Sequence, residues 1–215
     1  MSSPLTHADL ARYTELSVFR SDLTLHSLDS LCDTTREKNY AALTLPSSLI
    51  AHGAMRLEDS GVNLIAQIGF PHGLMHGDVK RFEAELCVDD GAQEFEFMGN
   101  LMLLTNGEES KFLREIRDVV DAVDGRQVRV ALKWSALTEA QRKLGAQAVL
   151  DSGAHYLSTG PGFGEKPDDA TSIHKWRTEL GDKFWIKAAQ PMGDEGSLLC
   201  LKAGAQRIGC IATIK

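Results

Sequence analysis

Short apolar segments of strand length alternate with longer amphipathic segments of helix length along the chain. This alternation is typical of βαβ units, in which parallel strands are joined by crossover helices. Strands are predicted at 13–18, 40–45, 63–70, 94–98, 128–134, 155–158, 184–189 and 207–211. Helices are predicted at 22–38, 47–59, 78–90, 108–123, 138–151, 169–180 and 193–202, and a further helix is expected after Thr6.

A glycine followed by a small residue precedes four of these strands, at 61–62, 91–92, 153–154 and 204–205. Glycine readily adopts the left-handed conformation that ends many helices, so this weak repeat supports the phasing. Eight strands in 215 residues predict a compact α/β fold, a (β/α)₈ TIM barrel formed as one domain over 1–215. The final helix is expected to be missing, because few residues follow Ile211. An open α/β sheet of seven or eight strands is the alternative.

Composition excludes several classes of protein. The chain has 43% hydrophobic and 25% charged residues, close to the average of globular proteins. It has no apolar run near the roughly 18 residues that span a bilayer, and its amino terminus does not resemble a signal peptide. The four cysteines lack metal-binding spacing, so we expect free thiols in a reducing cytoplasm and no metal site. A net charge of −7 argues against a nucleic-acid partner.

Charged residues interrupt three of the predicted strands. In the fourth strand Glu94 and Glu96 alternate with Phe95 and Phe97, so the carboxylates should point into the barrel and the rings towards the helices. The fifth strand carries Lys133 near its carboxyl end, and the seventh carries Lys187. Because active sites of such barrels lie at the carboxyl ends of the strands, these side chains are expected to converge at the mouth.

A carboxylate and two amines in one site can support Schiff-base chemistry. A second ammonium nearby favours the neutral form of the first, and a neutral lysine can attack a carbonyl group. Glu96 is the candidate for proton transfer. The structural alternative is a buried ion pair, or lysine side chains that extend from the strand ends to solvent.

The glycine-rich segment 158–164 follows the sixth strand, and its backbone N–H groups could hold an anion. A flexible loop is the other interpretation. The segment lacks the lysine of a P-loop and the glycine order of a dinucleotide site, so no cofactor is predicted.

The chain resembles the deoxyribose-phosphate aldolases, which are class I aldolases built on a (β/α)₈ barrel. The resemblance covers most of the chain and is carried by Ile-Gly-Phe-Pro-His-Gly at 68–73 and by the segments 41–46, 91–96, 152–160, 185–188 and 203–209. It implies reversible aldol cleavage of a small aldehyde or sugar phosphate through a lysine imine. It also implies a small-molecule carbonyl or sugar-phosphate partner.

The resemblance also marks departures from the family pattern. The family places its Schiff-base lysine on strand six in Lys-Thr-Ser-Thr-Gly, and the motif match puts Tyr156 at that position. The second family lysine matches Lys187, and the family aspartate of strand four matches Glu96. The glycine pair after strand seven and the serine after strand eight are missing, which predicts weaker phosphate binding.

The candidate site residues follow from both lines of reasoning. The catalytic candidates are Lys187, Lys133 and Glu96; the substrate-binding candidates are Thr44, Tyr156, Ser158, Thr159 and Gly160. Two alternatives to the lyase remain: an inactive aldolase-like barrel that serves as a binding or scaffold protein, and an isomerase or epimerase that uses Glu96 and Lys187 without covalent chemistry. The missing final helix would leave the outer face of the eighth strand uncovered, so a homo-oligomer is expected.

Overall fold

Eight parallel strands close into a barrel in the computed structural model, which describes residues 5–163 and 166–213. The strands are β1 Thr14–Ser17, β2 Ala42–Pro46, β3 Asn63–Ile68, β4 Glu94–Met98, β5 Gln127–Ala131, β6 Tyr156–Ser158, β7 Trp185–Ala188 and β8 Arg207–Ile211. They pair in chain order, and β8 pairs with β1. The predicted barrel is confirmed. The alternative of an open sheet is wrong, because β1 and β8 pair with each other and close the barrel.

Helices surround the barrel between successive strands. They are α1 Leu25–Glu37, α2 Ile50–Leu57, α3 Gly77–Asp89, α4 Leu101–Thr105, α5 Glu109–Ala122, α6 Glu139–Asp151, α7 Ala170–Leu180 and α8 Gly193–Lys202. Strands β4 and β8 and helix α8 have the predicted bounds, and the other predicted strands and helices differ by one to a few residues. Helix α4 was not predicted, and the expected first helix is a short 3₁₀ helix, His7–Tyr13, with its amino end at Thr6.

The main apolar core lies between the strands and the helices. Phe95, Phe97, Phe112, Val128 and Val130 are all fully buried there. This arrangement leaves the other faces of the strands pointing into the barrel, where the polar side chains of the next section meet. Gly164, the last residue of the glycine-rich segment, lies outside the described residues. No helix in the described ranges is long and apolar enough to cross a membrane.

Candidate active site

The alternating strand β4 directs its carboxylates into the barrel, as the sequence predicts. Phe97 faces the helices, since the Lys80 ammonium of α3 lies 4.9 Å from the centre of its ring. Glu94 and Glu96, of the opposite parity, both contact cations: Glu94 contacts Arg129 of the neighbouring strand β5, and Glu96 contacts Lys187 of the more distant β7. These two carboxylates are buried.

Lys187 of β7 lies inside the barrel between two carboxylates. Its Nζ donates a hydrogen bond to Glu96 Oε1 at 2.7 Å and lies 3.1 Å from Glu15 Oε2 of β1. Lys187 is only 2% exposed, and the second Glu96 oxygen makes no hydrogen bond to any described residue. The arrangement permits direct proton exchange between the Lys187 amine and Glu96.

The charge cluster is larger than the sequence analysis proposed. Arg129 of β5 pairs with Glu94 and, at 3.0 Å, with Glu15; Arg207 of β8 lies 3.4 Å from Glu15. Glu15 and Arg129 are fully buried. Both are charged residues inside short, buried strands, so the reasoning that found Glu96 could have found them once the strand register was known.

Electrostatics keep Glu15 and Arg129 ionised. Burial by itself would raise the pKa of Glu15, but the charges of Arg129 and Lys187 outweigh it and hold the pKa below its usual value. Burial would likewise lower the pKa of Arg129, but Glu15, Glu94 and Glu96 raise it above its usual value. The cluster contains three acidic residues, Glu15, Glu94 and Glu96, and three basic residues, Arg129, Lys187 and Arg207. A proton that moves from Lys187 to Glu96 stays within the cluster and leaves its net charge unchanged.

Lys133 is exposed and is not buried with Lys187, so its convergence with Lys187 at the mouth stays a prediction. Strand β5 ends at Ala131, and the chain turns into a short 3₁₀ helix over Trp134–Ala136. Lys133 lies after that strand end and is exposed, whereas Lys187 is buried. The next residue, Trp134, is buried, and its Nε1–H donates a hydrogen bond to the Ser158 carbonyl at 2.7 Å.

Three of the predicted substrate-binding residues lie inside the barrel. Ser158 is the β6 register partner of Lys187, and its hydroxyl donates to the Gly160 carbonyl at 2.8 Å. Tyr156 lies two residues nearer the amino end of β6, where its ring packs 5.0 Å from the Arg129 guanidinium. Burial raises the pKa of Tyr156 to about 12. Thr44 is buried, and its hydroxyl has no hydrogen-bond partner among the described residues.

Tyr156 is therefore part of the wall around Arg129, and Ser158 is the β6 side chain level with Lys187. The motif match thus puts the position of the family lysine two residues nearer the amino end of β6 than Ser158, the register partner of Lys187. Strand register determines this, because neighbouring parallel strands place paired residues side by side.

Thr159 and Gly160 form the start of the loop after β6. The Thr159 hydroxyl donates to Asp168 Oδ2 at 2.7 Å and accepts from the Ala189 backbone N–H at 2.9 Å. Gly160 is buried. Together these contacts tie the β6 loop to the end of β7, beside Lys187.

Three aromatic rings meet over the barrel mouth. Phe19 follows β1, Phe70 follows β3 and Phe163 belongs to the loop after β6; their ring centres are 5.1 to 6.4 Å apart. Strands from different sides of the barrel supply the rings, so their contact spans the opening. A cavity of about 570 Å³ lies beside them and is lined also by Gln67 of β3, the register partner of Glu96.

The described residues contain no group of histidine, cysteine, aspartate or glutamate side chains arranged to hold a metal ion.

No protein-family model matches the chain. Curated relatives do match, over nearly their full length. A protein named deoxyribose-phosphate aldolase from Alkaliphilus oremlandii is 26% identical over 208 residues, 96% of this chain and 94% of that protein. One of the same name from Coprothermobacter proteolyticus is 29% identical over 205 residues, 95% of this chain and 94% of that protein.

Solved structures with this barrel include two with a TM-score of 0.87 and 22% identity. One is titled "QR15, an Aldolase" and is matched over 94% of this chain and 90% of its own. The other is a deoxyribose phosphate aldolase from Aeropyrum pernix, described as tetrameric and matched over 95% of this chain and 88% of its own. The chain is thus a relative of proteins named deoxyribose-phosphate aldolase, with the barrel fold of the solved aldolases.

Proposed function

We propose that the protein is an aldolase-like carbon–carbon lyase that acts through an imine on Lys187. The observation that carries the proposal is the 2.7 Å hydrogen bond from the Lys187 amine to Glu96, inside a barrel related to aldolases. Lys187 is on β7, where barrel enzymes place catalytic groups at the carboxyl ends of strands.

The geometry supports a simple division of roles. Glu96 takes a proton from the Lys187 ammonium, and the neutral amine attacks the substrate carbonyl to give a carbinolamine. Glu96 then returns the proton to the carbinolamine oxygen, which leaves as water and forms the imine. The protonated imine attracts electrons from the adjacent carbon–carbon bond, which breaks when a base removes the proton of the β-hydroxyl group.

Borohydride trapping tests this function. We expect incubation with small aldehydes and ketones, followed by reduction and peptide mapping, to give one stoichiometric adduct at Lys187. Lys187→Met should abolish the adduct, whereas Lys133→Met, which removes the exposed lysine after β5, should leave it unchanged. An adduct confined to Lys133, or no more labelling than surface lysines give, would refute the proposal.

Glu96→Gln separates imine formation from proton transfer. It removes the proton-transfer group, so we expect turnover to fall by about 10²- to 10⁴-fold. The reduced adduct at Lys187 should still form after long incubation. Unchanged turnover would show that Glu96 has no such role.

We further propose that the protein assembles with copies of itself. Val79, Phe82 and Leu86 form an apolar stripe along α3 and are 48%, 57% and 48% exposed. Apolar residues three or four positions apart lie on one helix face, and an exposed face of this kind favours contact with another protein. The tetramer described for the Aeropyrum pernix aldolase supports a second copy of this chain as the occupant.

The outer side of β8, where an interface was expected, has a mixed character. Cys210 is exposed there, beside a cavity of about 440 Å³ that is also lined by His7, Lys38 and Asp194. The α3 stripe is therefore the more apolar of the two surfaces.

A further inference from the structure

Hydrogen-bond donors at the ends of β6 and β7 converge on one half-buried carboxylate. Asp168 Oδ2 accepts from the Thr159 hydroxyl at 2.7 Å and from the Gln190 backbone N–H at 3.1 Å. The Asp168 backbone N–H donates to the Gln190 carbonyl at 3.0 Å, which fixes the residue against the β7 loop. A hydroxyl and a backbone N–H directed at one point form a cradle of the kind that binds an anion.

The surroundings of the cradle are cationic. Asp168 borders a cavity of about 460 Å³, whose lining also includes Lys133, Arg142 and Lys166. Burial raises the pKa of the Asp168 carboxyl, although the hydrogen bonds from Thr159 and the β7 loop oppose that shift. The cavity therefore has the donors and the positive charge that suit a phosphate group, and a carboxylate of the chain itself occupies the donors.

An external anion at this place would meet two obstacles. It would have to displace the Asp168 carboxylate from the Thr159 and Gln190 donors, and it would approach a like charge in a partly buried site. Both effects disfavour binding, since juxtaposed like charges suppress association.

The opposite side of the mouth is mainly apolar. The cavity beside the three phenylalanine rings is lined also by Pro46, Leu49 and Gln67. Arg20, the charged residue among its described lining residues, pairs with Asp22 through hydrogen bonds, one of them 2.8 Å long. Gln67 adjoins Glu96 in the sheet, so this cavity leads towards the Lys187 amine.

We propose that Asp168 excludes phosphorylated compounds and that the protein acts on uncharged carbonyl compounds with an apolar part. This substrate class rests on the proposed function, but the exclusion of phosphate by Asp168 is a property of the cradle and is measured separately.

A matched pair of aldehydes tests substrate class on the wild-type protein. Glyceraldehyde and glyceraldehyde 3-phosphate differ by the phosphate alone, and butanal adds an apolar chain in place of the hydroxyl groups. We expect the initial rate of borohydride-trapped adduct at Lys187 to be at least about tenfold higher for glyceraldehyde than for its phosphate, and higher again for butanal. Equal rates, or a faster reaction of the phosphate, would overturn the proposed class.

Binding of inorganic phosphate to variants tests the role of Asp168 without any catalytic step. Asp168→Ala removes the charge and frees both donors, so phosphate affinity measured by calorimetry should rise by at least about tenfold over wild type. Asp168→Asn removes the charge but can still accept both hydrogen bonds, and should give a smaller gain. Asp169→Asn is the matched control, because it removes the neighbouring charge and keeps a good cap for α7.

The outcomes separate this proposal from the preceding one. If wild type binds phosphate as tightly as Asp168→Ala, or if Asp169→Asn gives the same gain, Asp168 is not the excluding group. If no aldehyde reacts at Lys187, the lyase function fails while the phosphate comparison still decides the role of Asp168. Should Asp168→Ala fail to fold, Asp168→Asn and the wild-type aldehyde pair still decide the proposal.

Discussion

Glu15 shows how much one residue can depend on its surroundings. Its carboxylate lies within 3.0 to 3.4 Å of Arg129, Lys187 and Arg207, which come from three different strands. Its two oxygens form ion pairs with these cations but accept no hydrogen bond of regular geometry from the described residues. In the chain Glu15 is one acid in a short strand, and nothing local shows that it links three cations.

Removal of the Glu15 charge should destabilise the fold. Glu15→Gln leaves Arg129 and Lys187 without a shared buried partner, which is expected to lower the free energy of unfolding by about 3–5 kcal/mol at neutral pH. Urea unfolding of wild type and Glu15→Gln measures this difference in the free energy of unfolding. Glu139→Gln, at an exposed site paired with Lys143, should have little effect. Equal effects of the two substitutions would contradict a special role for the buried cluster.

The ion pairs of Glu15 also predict that the stability of the fold depends on pH. The Glu15 pKa is lowered below its ordinary value of 4.5 in the folded state, so its carboxylate contributes stability above that pH. The contribution is lost as the pH falls through the folded-state pKa. The stability difference between wild type and Glu15→Gln should therefore shrink below about pH 4.5, in urea titrations from pH 7 to pH 3. A difference that grows on acidification would contradict this.

At the scale of elements, a second buried ion pair joins α3 and α5 to the loop after β3. Lys80 of α3 is fully buried and donates to Glu115 of α5 at 2.8 Å and to the carbonyls of Gly73 and Met98. Burial lowers the pKa of Lys80 and raises that of Glu115. Gly73 has a φ of 69°, and a Cβ there would lie 2.3 Å from the Gly99 carbonyl oxygen, so this contact needs glycine.

A double-mutant cycle tests the Lys80–Glu115 pair. Lys80→Met leaves Glu115 buried without its cation, and we expect a loss of about 3–5 kcal/mol in the free energy of unfolding. Lys80→Met combined with Glu115→Gln should recover a large part of that loss, because no unpaired charge remains. Denaturant unfolding of wild type, Lys80→Met, Glu115→Gln and the double variant gives the coupling free energy between the two side chains. Additive losses would show that the two side chains do not stabilise each other.

At the scale of the whole molecule, the apolar stripe on α3 predicts assembly. We expect light scattering to give a mass above that of one chain, and Phe82→Glu to reduce it by placing a charge in an apolar contact. Leu144→Glu, at an exposed apolar site on α6, is the control and should leave the mass unchanged. A wild-type monomer would refute self-assembly, and an oligomer insensitive to Phe82→Glu would place the interface elsewhere.

The sequence by itself determined the elements and the two faces of each strand. Strand β4, helix α8 and strand β8 have the predicted bounds, since alternation of apolar and polar residues is a local property set by backbone periodicity. For the same reason Glu96 could be assigned to the barrel interior from the sequence, whereas Lys187 was expected at the mouth because its charge interrupts an apolar strand. The resemblance to aldolases rests equally on local motifs.

Only the tertiary structure decided which charges meet. Lys133 is exposed because it follows the end of β5 at Ala131, whereas Arg129 is buried in contact with Glu15 and Glu94. Asp168 reaches the β6 and β7 loops from a position close to α7, and no local pattern indicates that contact. Barrel closure brings together residues far apart in the chain, and the distances between their charges follow from strand register and loop geometry, which periodicity does not encode.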